Sequence, residues 1–251
     1  MKTLLISLLL ASTVPATAQV SAPREKATRI ILIGDSTTAA GGGWGDSFCQ
    51  HHVAKTVECV NLGRGGSSSA SYREDGSWDA AMAEIWAGDT AHTYVLFQFG
   101  HNDQPPKTTA TDPATEFPHN LRRYVEEVRA AGAHPVLLTP LTRRRFVKGQ
   151  LETDLVPWAN ATRKVATQMR VPLIDLYARS QAAVLEVGPT EALKFSPKAP
   201  TADIVAASRT GTTAGNFDYS HLGPQGAAFF AKIVTRELSH VEPELRKDLM
   251  P

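Results

Sequence analysis

An excess of charge of either sign is the first thing this chain lacks: 26 Lys and Arg stand against 25 Asp and Glu in 251 residues. So balanced a chain carries no electrostatic footprint for nucleic acid or for an anionic membrane surface. Cysteine is nearly absent. The two present, Cys49 and Cys59, do not make a zinc site at their spacing. They leave two readings open, a disulfide formed in an oxidising compartment or a pair of buried thiols. No two histidines sit with carboxylates in a ligand pattern, so no metal is expected. Beyond the first residues there is no long apolar run, which excludes a bilayer span in the body of the chain. Internal repeats and linker-like stretches are missing too, so one domain is expected.

What is there begins with a short basic start, Met1-Lys2, and an apolar run from Leu4 to Leu10 broken only by Ser7. Ala16 and Ala18 then supply small residues in an A-x-A pattern. That arrangement is a secretory signal peptide cut before Gln19. Ser12, Thr13 and Pro15 end the run well short of the ~20 apolar residues a membrane anchor needs. Residues 1–18 are therefore expected to be removed. Residues 19–251 would form a single domain, exported to the periplasm or beyond, with a monomer as the simplest oligomeric state.

Within that domain, strands and helices alternate. Arg29 to Ile33 is a continuous apolar run, as in a strand buried on both faces. Val57–Leu62, Thr93–Phe99, His134–Thr139 and Val171–Leu176 read as four more strands. Trp44–Val53, Trp78–Trp86, Phe117–Ala131, Leu155–Met169 and Pro224–Leu238 read as helices. Thr190–Gly215 shows little periodicity and is expected to be a surface excursion. Five strands alternating with helices predict an α/β fold of three layers, α/β/α, around a doubly wound, mostly parallel five-stranded sheet.

In such sheets, sites form beyond the carboxyl ends of the strands. Three loops leave strands there: Gly34–Thr38, Gly65–Ser67 and Gly100–Asp103. A fourth piece, Asp218–His221, precedes the last helix. Taken singly, each has a plain explanation: a helix cap for the Ser, a turn for the glycines, surface polarity for the Asp and His. Together, in this order, they resemble the SGNH hydrolase superfamily, named for motif residues Ser, Gly, Asn and His, whose fold is flavodoxin-like. Within it the chain most resembles rhamnogalacturonan acetylesterases. Besides Gly34–Thr38, the likeness runs through Gly66–Tyr72, Phe97–Asp103 and Val136–Arg145, almost the whole of residues 19–251.

The resemblance implies roles that the chemistry also requires. Ser36 is the nucleophile and needs a base. His221 takes its proton and returns it to the leaving alcohol, while Asp218 holds the imidazole in the right tautomer. The G-x-S-x-G pattern of other serine hydrolases is absent around Ser36. The oxyanion hole falls to the Ser36 amide, the Asn102 side chain and the amide of Gly65 or Gly66, of which counting six residues back from Tyr72, as in the family's pattern, favours Gly66. Glycine suits a backbone that must approach substrate without a Cβ in the way. Asp35 is expected to brace the nucleophile loop, and His101 to line substrate or serve structure. His51, His52, His92, His119, His134 and His240 match no motif.

Arg143, Arg144 and Arg145 leave the fourth strand on the same edge, where contact with an anionic sugar is expected beside the plainer reading of a solvated loop. Tyr219, Trp158 and Phe195 are candidates for stacking on sugar rings or for the core. The activity implied is removal of O-acetyl groups from a plant cell-wall polysaccharide, rhamnogalacturonan in pectin, through an acyl-enzyme and without a cofactor. Two alternatives stand beside it. One is a lipase, thioesterase or arylesterase with the same triad; the other is a carbohydrate-binding protein without activity.

Overall fold

The structure is a computed structural model that describes residues 28–88, 92–213 and 215–251. The expected signal peptide, residues 1–18, lies outside the described residues.

The centre of the fold follows from the two-residue period of a strand. Strand β1 (Arg29–Gly34) is buried at every position. Ile30 and Leu32 point into one apolar layer and Ile31 and Ile33 into the other, as alternating side chains must. The later strands are β2 (Glu58–Asn61), β3 (Thr93–Gln98), β4 (His134–Leu138), β5 (Phe146–Val147), β6 (Gln150–Leu151) and β7 (Leu173–Ile174). Five of them form one sheet in the order β2-β1-β3-β4-β7, every pair parallel. β5 and β6 make a separate antiparallel hairpin. From β1 the chain first adds β2 on one side, then crosses to β3 on the other. The crevice of a doubly wound sheet opens at such a reversal.

Helices cover both faces. They are α1 (Gly45–His51), α2 (Ser71–Glu74), α3 (Ser77–Ala87), α4 (Glu116–Ala130), α5 (Val156–Met169), α6 (Leu176–Ala192), α7 (Ala202–Arg209) and α8 (Pro224–Val241). Phe48 of α1, Val184 of α6 and Phe230, Val234 and Leu238 of α8 pack beneath one face. Trp78 of α3, Leu121, Tyr124 and Val128 of α4, and Val165 of α5 pack on the other. The three-layer α/β/α architecture is the one expected.

Three expectations change. The fifth strand shrinks to Leu173–Ile174, paired only with Leu137 and Leu138. Next, α6 follows it at once, capped by the Asp175 side chain accepting from the Ala178 amide. Gly188, at φ 81°, interrupts this helix before Pro189, and those two residues disguised its period. Thr190–Gly215 is not a bare surface excursion. It contains the end of α6, a 3-10 turn at Leu193–Phe195 and α7, which the Thr201 side chain caps. Phe195 is 4% exposed and packs against Phe229 and Phe230, so it belongs to the core and stacks on no ligand. Trp158 is buried as well.

Cys49 on α1 and Cys59 on β2 are joined, with Cα atoms 5.3 Å apart. The disulfide reading holds. Closing a loop of this length removes unfolded-state entropy worth about 2–3 kcal/mol. Cys49→Ser with Cys59→Ser is therefore expected to lower Tm by several degrees, as is reduction of the wild type, read by thermal unfolding with and without reductant. An unchanged Tm in both would show that the bond carries no stability.

Candidate active site

Ser36 follows β1, Gly66 follows β2, Asn102 follows β3, and Asp218 and His221 precede α8. Parallel strands bring the first three loops to one edge, and the last loop crosses over them. At Gly34, where β1 ends, a Cβ would come within 2.4 Å of the Gln98 carbonyl oxygen. Only glycine lets the chain turn against β3 there. Asp35 is buried and braces the turn: its Oδ1 accepts from the Thr37 amide at 2.9 Å and the Thr37 hydroxyl at 2.7 Å. Gln98 adds a bond to the Thr37 hydroxyl and accepts from the Trp44 indole at 2.7 Å.

The loop so held presents Ser36. Its Oγ lies 2.9 Å from His221 Nε2, and His221 Nδ1 lies 2.8 Å from Asp218 Oδ2. Nδ1 donates to the carboxylate, which leaves Nε2 free to accept from the serine hydroxyl. Asp218 Oδ1 accepts two backbone amides, from Ser220 at 2.9 Å and His221 at 2.8 Å. Burial disfavours the Asp218 carboxylate, but these amides and the imidazole outweigh it and hold its pKa below the ordinary carboxylate value. The Leu222 amide donates to the Gly42 carbonyl at 2.8 Å, tying this loop to the turn after Ser36.

Gly66 and Asn102 line the same cavity as Ser36 and His221. The Asn102 side-chain amide donates one hydrogen to the Ser67 carbonyl at 3.1 Å, leaving its second hydrogen for a ligand. No protein acceptor takes the Ser36 or Gly66 amide among the described residues. The reason for glycine at 66 differs from the one expected. A Cβ there would touch nothing within 4 Å, but φ is +84°, a conformation that L side chains rarely adopt. Asp103, next to Asn102, is fully buried and accepts from Ser69 and Thr111. Burial raises its carboxyl to about 6.

The structure separates the three arginines. Arg144 is 2% exposed and donates to the backbone carbonyls of Ser220 at 3.0 Å and His221 at 2.8 Å. The expected substrate contact is therefore wrong for Arg144: it is buried, its guanidinium donates to backbone carbonyls of the catalytic loop, and it is not among the residues that line the cavity. Arg143 and Arg145 do line the cavity. Each is engaged, Arg143 with Asp154 at 2.8 Å and Gln104 at 2.7 Å, Arg145 with Glu152 at 3.0 Å. His101 lines it too, but its imidazole is buried, with Nε2 donating to the Leu141 carbonyl at 2.8 Å. Burial pushes it down to about 4, so it is neutral at pH 7. Tyr219 lines the cavity and packs edge-on against Phe217 at 5.0 Å.

The cavity measures about 1140 Å³. Sequence reasoning missed Lys107, Glu152, Asp154 and Phe217 on its walls. Lys107 stands six residues after His101 in a loop rich in Pro and Thr, where only its nearness to the third motif was a signal. Glu152 was hidden by the hairpin β5–β6, too short to show a period. No group of three His, Cys, Asp or Glu able to hold a metal occurs among the described residues.

Residues 32–229 match the GDSL-like lipase/acylhydrolase family. The rhamnogalacturonan acetylesterase RhgT of Bacillus subtilis (strain 168) is 32% identical over 238 residues, covering 90% of this chain and 96% of that protein. The probable rhamnogalacturonan acetylesterase YesY of the same strain is 28% identical over 232 residues, covering 89% and 98%. Among solved structures, protein YXIM of Bacillus subtilis superposes with a TM-score of 0.67 at 25% identity. It aligns with 85% of this chain, which spans 56% of that structure's length.

Proposed function

The chain belongs to the GDSL-like lipase/acylhydrolase family and is a carboxylic ester hydrolase, and from that premise we propose that it removes O-acetyl groups from an acetylated pectic polysaccharide, rhamnogalacturonan. The observation that carries this reading is the hydrogen-bonded line from Ser36 through His221 to Asp218, opening on a cavity walled mostly by polar and charged groups. Ser36 Oγ attacks the acetyl carbonyl carbon as its proton passes to His221 Nε2. The resulting oxyanion accepts from the Ser36 amide, the Gly66 amide and Asn102 Nδ2. The bond to the sugar oxygen breaks, and His221 returns the proton to that oxygen. Water then attacks the acetyl-Ser36 ester with His221 again as base, releasing acetate.

Substrate preference follows from the walls. Phe217 and Tyr219 offer an aromatic face for a sugar ring. Lys107 forms no ion pair among the described residues and faces the cavity, where a uronate carboxylate would meet it. Arg143 and Arg145 keep their own carboxylates and contribute shape more than free charge. Among the described lining residues only Pro105, Pro106, Phe217 and Tyr219 offer sizeable apolar surface to an acyl chain.

The test is acetate release from acetylated rhamnogalacturonan, acetylated xylan and p-nitrophenyl esters of rising chain length. Highest turnover on rhamnogalacturonan supports the reading. Preference for xylan moves the substrate to another acetylated polysaccharide, and preference for long-chain esters overturns the acetylesterase assignment. Asn102→Ala is expected to lower kcat by about 10²–10³-fold with KM little changed, because its donor acts on charge that develops only in the transition state. Equal kcat in wild type and variant would remove Asn102 from the hole.

Export with cleavage after Ala18 is part of the same proposal. The Cys49–Cys59 bond supports an oxidising compartment, and N-terminal sequencing of the mature protein checks it: a protein that begins at Gln19 agrees, one that keeps Met1 does not.

A further inference from the structure

Arg144 has a place in the fold that neither substrate binding nor packing explains. It is buried, and among the described residues it forms no ion pair, although desolvating a guanidinium is costly without one. Its partners are backbone carbonyls instead. Nη1 donates to Ser220 O at 3.0 Å, and Nη2 donates to His221 O at 2.8 Å and Asp218 O at 3.3 Å. Its own amide donates to Tyr219 O at 2.9 Å. Every carbonyl from 218 to 221 is thus turned toward one residue.

A trans peptide points its C=O and N–H in opposite directions. The peptide whose oxygen belongs to Tyr219 carries the amide of Ser220, and the peptide whose oxygen belongs to Ser220 carries the amide of His221. Both oxygens are held by Arg144, and both amides are accepted by Asp218 Oδ1. The two peptide planes therefore lie between residue 144 on one side and the Asp218 carboxylate on the other. The guanidinium at the carbonyl end and the carboxylate at the amide end polarise the Ser220–His221 unit in the same sense. That fixes which way the carboxylate faces, leaving Oδ2 for His221 Nδ1.

We propose that Arg144 is a positioning residue for the triad, clamping the peptide units of residues 218–221 so that Asp218 and His221 hold their alignment on Ser36. The inference rests on the triad reading above. It touches no substrate, so its removal acts on kcat and not on KM.

The experiment is kinetics of Arg144→Met and Arg144→Lys on p-nitrophenyl acetate, beside wild type, Ser36→Ala, Asp218→Ala and the double variant Arg144→Met/Asp218→Ala, with thermal unfolding of each. Arg144→Met is expected to lose about 10²-fold in kcat, the scale of a small misplacement of reacting groups, with KM kept. Arg144→Lys should recover part of that loss, since an ammonium still reaches one or two of the carbonyls. In the Asp218→Ala background the same substitution should cost little, because the clamped amides no longer orient a carboxylate. A folded Arg144→Met with wild-type kcat overturns the clamp, and so does a loss that is undiminished in the Asp218→Ala background. Should Arg144→Met not fold, Arg144→Lys with Asp218→Ala is read in the same cycle. Ser36→Ala as active as wild type overturns the triad reading itself, whereas Ser36-dependent turnover insensitive to Arg144 overturns the clamp alone.

Discussion

Ser36→Ala is expected to lower kcat on an acetyl ester by about 10⁶-fold, the scale seen when the nucleophile of a serine triad is removed. Among the described residues no other hydroxyl is hydrogen-bonded to His221 Nε2. The remaining members, His221 and Asp218, are arranged to take a proton from Oγ at 2.9 Å, and without Oγ they have no side-chain nucleophile to activate. What survives is the binding cavity and the oxyanion donors, which support only slow attack by water. The change deletes one oxygen from a loop braced by Asp35, Thr37 and Gln98, so Tm should not fall. Measured kcat, Tm and labelling by a fluorophosphonate probe check this together. A folded Ser36→Ala that still turns over and still labels would mean that another residue is the nucleophile.

Asp218→Asn should cost about 10⁴-fold in kcat with the loop geometry kept. The asparagine oxygen can stay on the amides of Ser220 and His221. Its NH2 then faces His221 Nδ1 as a donor, forcing that nitrogen to become the acceptor. Nε2 must carry the hydrogen, and the imidazole can no longer accept from Ser36. The pH behaviour separates tautomer from stability. The folded Asp218 pKa lies below its unfolded value, so its contribution to stability is present above the unfolded pKa and is lost as pH falls through the folded one. Wild type should therefore shed this part of its stability only in acid, below the ordinary carboxylate range. In Asp218→Asn that component should be missing, while kcat stays low at every pH. Recovery of activity at high pH would point to a charge effect and away from the tautomer.

How much of this was legible beforehand depended on whether the information was local. The apolar run at Arg29–Ile33, the period on α4 and the motif loops at Ser36, Asn102 and His221 are written in neighbouring residues, and each stands where its pattern placed it. Helix α6 was missed because Gly188 and Pro189 broke its pattern near the end, although the Asp175 cap and the run from Leu176 were there to be read. Arg143, Arg144 and Arg145 are the clearest failure of local reading. Three identical side chains in a row take three different environments: one engaged at the cavity wall, one buried under the catalytic loop, one paired on the hairpin base.

The sequence by itself determined the parallel α/β architecture, the family and which serine, aspartate, histidine and asparagine meet, since periodicity and motif order are properties of the chain. Tertiary structure alone decided the joining of Cys49 to Cys59, the φ of Gly66, the burial of Phe195 and the inward turn of Arg144. Those depend on distances between segments far apart in the chain, and such distances exist only once the sheet has closed and its loops have packed over one another.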